Sequence, residues 1–135
     1  MFGLFKKKAA AFPRNCRWSV SAGELEGKPI VVRKNDSAAS LAGHPEYRFR
    51  VSITMPVQYP NEVGLPGNQE MDQMAVIEDR LSELLEADNE SLHVVVTTSN
   101  GYRDLVYYTR SPSMALETVE QISGEVTHDL RSQVE

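Results

Sequence analysis

The chain has 135 residues, of which 41% are hydrophobic, 24% charged and 7% aromatic, the profile of one ordinary soluble domain able to bury roughly two thirds of its unfolded surface. No apolar run approaches the ~20 residues that span a bilayer, and Cys16, the single cysteine, cannot form a disulfide within the chain. The net charge of −5 is uneven: Lys6, Lys7, Lys8, Arg14 and Arg17 give the first 17 residues +5, leaving nine bases against nineteen acids in the rest.

Residues 1–15 are read as a basic, flexible N-terminal segment and residues 16–135 as a single domain. Met1 to Lys8 is a small apolar cluster followed by a basic run, the reverse of a secretory signal, so residence in the cytoplasm is expected. A solvated tail is the default reading of this segment. The alternative is weak contact with a membrane surface, Phe2, Leu4 and Phe5 entering lipid while Lys6, Lys7 and Lys8 meet anionic head groups.

Trp18 to Ser21 alternates as a short first strand, and Pro29 to Arg33 forms a second. Asn35 to Pro45 reads as a loop. Tyr47 to Met55 is the clearest strand: Tyr47, Phe49, Val51, Ile53 and Met55 point one way, while Arg48, Arg50, Ser52 and Thr54 point the other. A loop from Asn61 to Gly67 precedes a helix capped by Asn68 and striped with Met71, Met74, Ile77, Leu81, Leu84 and Leu85. Leu92 to Thr98 and Tyr102 to Thr109 are strands joined by a hairpin turn at Ser99-Asn100-Gly101. Pro112 opens a second helix, whose stripe is Ala115, Val119, Ile122, Val126 and Leu130. The order β-β-β-α-β-β-α implies an α+β, two-layer sandwich: a mainly antiparallel five-stranded sheet with two helices on one face.

Gly64-Leu65-Pro66-Gly67-Asn68-Gln69-Glu70 and Ile77-Glu78-Asp79-Arg80-Leu81, with Trp18, Gly27-Lys28-Pro29, Arg33 and Thr98-Ser99-Asn100-Gly101-Tyr102-Arg103, resemble a bacterial family known as domain of unknown function 695 over about residues 16 to 111. The resemblance implies no catalytic residues, since the family has no established activity. In some bacterial proteins such a domain precedes one similar to an acidic inhibitor of ribonuclease E. The chain stops at Glu135, just after the second predicted helix, so no such following domain is expected here.

Glu78 falls on or beside the apolar stripe of the first helix, where a carboxylate needs a partner. Arg33 and Arg103 are the candidates. An ion pair or backbone hydrogen bond is the expected role; general acid or base catalysis with an arginine is the alternative. Asp79, one residue further round, is expected in solvent. Arg48 and Arg50 project from one sheet face, and side chains of other strands, such as Tyr108, can join them. Arg33, Arg48, Arg50, Arg103 and Tyr108 are therefore the candidate binding residues, for a protein partner or homodimer rather than nucleic acid, because the domain is acidic. Pro112 to Glu135 holds five acids and one base, which suits an electropositive partner.

His44, His93 and His128 lack metal-ligand spacing, so no metal is expected, and His93 is read as a half-exposed strand residue. Cys16 is read as a quiet thiol. No phosphate-binding glycine loop or nucleophile elbow occurs, and no cofactor is expected. The reading is thus a non-enzymatic cytoplasmic binding or regulatory domain acting through a protein partner. The alternatives are a regulator of RNA degradation similar to ribonuclease E inhibitors, and a small enzyme using Glu78.

Overall fold

A computed structural model describes residues 12–135. The residues expected to touch a membrane surface, Phe2, Leu4, Phe5 and Lys6 to Lys8, lie outside the described residues.

The strands are β1 (Trp18–Leu25), β2 (Lys28–Asn35), β3 (Phe49–Pro56), β4 (Ser91–Ser99), β5 (Tyr102–Thr109) and β6 (Arg131–Val134); the helices are α1 (Asn68–Leu85) and α2 (Pro112–Ser123). All strand pairs are antiparallel, in the order β1-β2-β4-β5-β3-β6. Hairpins β1–β2 and β4–β5 account for neighbouring strands in sequence. The Asn100-Gly101 turn takes positive φ at both residues, the geometry whose twist matches the flanking strands.

Register puts Val51, Ile53 and Met55 of β3 opposite Tyr107, Leu105 and Arg103 of β5, and Leu105 opposite Val96 of β4. These side chains share one face. Val51, Ile53, Met55, Val96, Leu105 and Tyr107 form the main core with Met74, Ile77, Leu81 and Leu85 of α1 and Ala115, Val119 and Ile122 of α2. The helices cover this face because their apolar stripes have no other surface to bury against. A second, smaller cluster of Ala38, Leu41, Tyr47, Leu92 and Val94 lies under the 3-10 turns Asp36–Leu41 and Pro45–Tyr47. There Tyr47 donates a hydrogen bond of 2.6 Å to the Asn89 carbonyl.

The α+β sandwich has six strands rather than five. The second helix stops at Ser123, with Gly124 at its C-cap, so Leu130 does not lie on it. Leu130 is instead buried in the main core just before β6, which pairs with β3. Other boundaries move as well. The first two strands are longer than expected, β1 running on from Ser21 to Leu25 and β2 spanning Lys28–Asn35. Tyr47 lies in a 3-10 turn, ahead of the strand. The N-cap of α1 is Gly67, with Asn68 already helical.

Candidate functional site

Register decides where the arginines go. Arg33 of β2 lies opposite Val96, and Arg103 of β5 opposite Thr98 and Met55, so both project to the helix-covered face. Arg50 pairs with Tyr108 on the opposite face. Arg48 precedes β3, with its guanidinium carbon 5.0 Å from the centre of the Phe49 ring. The five candidate binding residues therefore do not share a surface. Arg33 and Arg103 share a face although β2 and β5 are not neighbours, whereas Arg50 falls on the other face because it alternates with the buried Val51. Arg50 is further engaged in an ion pair with Glu135.

Arg33 and Arg103 converge on Glu78. Arg33 Nη2 donates to Glu78 Oε2 at 2.5 Å, and Arg103 Nη1 lies 3.7 Å from Oε1. Arg103 is buried and anchored by a 3.1 Å hydrogen bond from Nε to Thr98 Oγ1. Burial lowers the pKa of its guanidinium and Arg33 lowers it further, while Glu78 acts in the opposite direction. Asp79, on the neighbouring side of the helix, is exposed.

Around this pair lies a polar network. The His93 ring stacks on Tyr107 at 4.3 Å between centroids and 11° between planes, and meets Trp18 edge-on at 5.0 Å. Ser82 Oγ is 2.7 Å from the Tyr107 hydroxyl and 3.4 Å from His93 Nδ1. Glu86 accepts the His93 amide at 3.1 Å, and Asn35 donates to the His93 carbonyl at 2.9 Å. Burial, then the positive charges of Arg33 and Arg103, push the His93 pKa down to about 3, so the ring is neutral at physiological pH. Burial raises the Tyr107 hydroxyl and the Glu86 carboxyl above their usual ranges.

Several of these groups line a cleft of about 590 Å³ between β2 and α1, with Arg103 and Tyr107 behind them. Its walls include Trp18, Arg33, Glu78, Asp79, Ser82, Glu86 and His93, with Phe12 to Cys16 running along one side. Among the described residues, no group of three His, Cys, Asp or Glu side chains comes together as a metal site, and no helix is long and apolar enough to cross a membrane.

The model of a family of unknown function, DUF695, matches residues 16–134. The chain belongs to this family. No curated protein and no solved structure matches it.

The DUF695 domain carries groups that the sequence reading missed. His93 is only 3% exposed, not half-exposed. A β-bulge between His93 and Val95 breaks the strand's alternation and turns the ring to the core side with Tyr107. Ser82 and Tyr107 carried no motif and meet only through the packing of α1 on β5. His128, read as helical, lies beyond α2 with Nε2 2.8 Å from Glu70 Oε2. Glu70 also accepts the amides of Gln58 at 2.5 Å and Tyr59 at 2.9 Å. Burial alone raises the Glu70 pKa, but these hydrogen bonds outweigh it and leave the carboxyl below its usual range.

Proposed function

We propose that this DUF695 domain is a non-enzymatic binding domain of the bacterial cytoplasm that engages a protein partner along β1, the partner adding an extended strand to the sheet. The observation that carries this reading is the state of that edge. β1 is an outer strand of eight residues, every one exposed. Its single charged side chain is Glu24, and it contains no proline, no lysine and no register break against β2. Protected edges are short, charged, bulged or interrupted by proline, and the opposite edge, β6, has four residues and begins at Arg131. An open edge supplies main-chain hydrogen bonds to an incoming strand, and side chains on alternating faces supply specificity. Val20 projects to the helix-covered side, in register with Arg33, and Leu25 to the other side; they are 66% and 56% exposed. Arg17 stands at one end of the strand, with Glu24 and Glu26 at the other, which favours a partner strand of opposite charge order.

The catalytic alternative loses its groups to structure. Glu78 faces two guanidiniums, and His93, beside Ser82, is too weak a base at about 3 to activate a hydroxyl.

Photo-crosslinking residues placed singly at Val20, Tyr108 and Val76 test the reading in cells. Covalent adducts are expected from Val20 and are lost when Leu25→Lys is added. Adducts from Tyr108 on the open face or Val76 on α1, with none from Val20, overturn it.

A further inference from the structure

We infer that the cleft between β2 and α1 is a second, separate binding site, for a small uncharged polyhydroxylated molecule of sugar type. The first observation is a pair of unsatisfied atoms. Among the described residues, Glu78 Oε1 and His93 Nε2 are buried with no hydrogen-bond partner, and both side chains line this cleft. Glu78 is 8% and His93 3% exposed. Glu78 Oε1 has the Arg103 guanidinium 3.7 Å away, an ion-pair contact too long for a hydrogen bond, and His93 Nε2 has no polar partner among the described residues. Buried polar atoms are nearly always hydrogen-bonded, and one left without a bond costs roughly 1–3 kcal/mol. Two such atoms on one cleft mark positions that a ligand can fill.

The chemistry of the walls selects the ligand. A cleft of about 590 Å³ lies within the roughly 300–1,000 Å³ of small-molecule sites. Its carboxylates, Glu78, Asp79 and Glu86, are balanced by Arg14 and Arg33 in the lining and by Arg103 behind Glu78. With charges balanced, the cleft has no strong preference for an anion or a cation. Glu78 Oε1 can only accept, so the ligand must donate there. His93 can present either a donor or an acceptor at Nε2, depending on the hydrogen it shares with Ser82. Hydroxyl groups satisfy both demands, and Asn35 and Arg33 supply further polar positions. Trp18 lines the same cleft and is 37% exposed, offering an aromatic face to the C–H side of a sugar ring. Arg33 is the gate. Its side chain is 35% exposed, it bonds Glu78, and its guanidinium carbon sits 5.6 Å from the Trp18 ring centre, so it is the group that shifts to admit a hydroxyl.

Two-dimensional NMR of the full chain, titrated with glucose, ribose and myo-inositol, tests the site, with glucuronate and glucosamine as charged comparisons. At least one neutral probe is expected to give saturable shifts at the Trp18 indole N–H and in β2. Trp18→Ala is expected to weaken that binding about tenfold, and His93→Phe, which keeps the ring stack on Tyr107, to abolish it. Each variant's amide spectrum confirms that it is folded. Three outcomes overturn the inference: no saturable shift with any neutral probe, binding confined to the charged probes, or binding indifferent to both substitutions. Trp18 belongs to β1 as well as to the cleft, so the two sites are told apart by His93→Phe: β1 pairing does not use His93, and that variant is expected to lose sugar binding while keeping the crosslink at Val20.

Discussion

Arg33 on β2 and Glu78 on α1, 45 residues apart, meet through a single 2.5 Å contact, and this is what fastens the β1–β2 hairpin side of the sheet to the long helix. The main core lies over β3, β4 and β5 and includes no residue of β1 or β2. The hairpin side is therefore held by the β2–β4 ladder and the Trp18–His93 ring contact, with Arg33 to Glu78 and Asn35 to the His93 carbonyl as its side-chain polar links.

The two arginines are not equivalent partners. Glu78→Gln strands the buried Arg103 guanidinium and is expected to destabilise the fold by about 3 kcal/mol. Arg33→Gln removes a partly exposed partner and is expected to cost about 1 kcal/mol. Urea denaturation of both variants measures the difference, and equal losses would argue against a buried anchor at Arg103.

Acid should weaken the fold through His93. The ring binds its proton near pH 6.5 when unfolded but only near pH 3 when folded. The unfolded state therefore holds the extra proton between those values, and stability falls as pH is lowered through that window. Between pH 6.5 and 4.5 the loss amounts to about 2 kcal/mol. Glu86, raised by burial, acts in the opposite sense, so the comparison must be made against His93→Gln. That variant is expected to show a flatter dependence over the same interval in denaturation at a series of pH values.

Glu70 ties three segments together by accepting from Gln58, Tyr59 and His128. Glu70→Ala leaves two amides and a buried imidazole without that acceptor, and a loss of about 2–4 kcal/mol is expected. Hydrogen exchange should accelerate at Gln58 and Tyr59 and along β6, which follows His128, while the β4–β5 hairpin stays protected.

The loop before α1 is seated on that hairpin at Gly64. Its φ is +84°, and an added Cβ would stand 2.9 Å from the Asn100 Cα. The Gly101 amide donates to the Gly64 carbonyl at 2.7 Å. Gly64→Ala is expected to lower stability by about 1–3 kcal/mol, read as a drop in Tm. Gly27→Ala also meets a positive φ, but no atom lies within 4 Å of the added carbon, so its loss should be smaller.

Much of this architecture is legible along the chain because its signals are local. The alternation of Val51, Ile53 and Met55, the Asn100-Gly101 turn and the stripe from Met74 to Leu85 each survive folding unchanged. The partners of Glu78 were also legible, since a carboxylate on an apolar stripe demands a cation. Three features were not. Val126 and Leu130 continue the helical spacing of Ile122, although the helix ends at Ser123 and the chain turns towards β6. His93 was misplaced by a bulge that no local pattern announces. The arginines were grouped by residue type, whereas the face each one takes is set by how its strand registers against its neighbours, Arg33 against Val96 and Arg50 against Tyr108, which is a long-range choice.

The central claim, that β1 receives a partner strand, is tested most directly by amide hydrogen exchange on the domain alone and on the complex recovered through the Val20 crosslink. The account predicts that alternate amides of β1, those pointing away from β2, gain protection in the complex, while the exposed faces of α1 and α2 do not change. Unchanged exchange along β1 with new protection on either helix or around Arg50 and Tyr108 would contradict it.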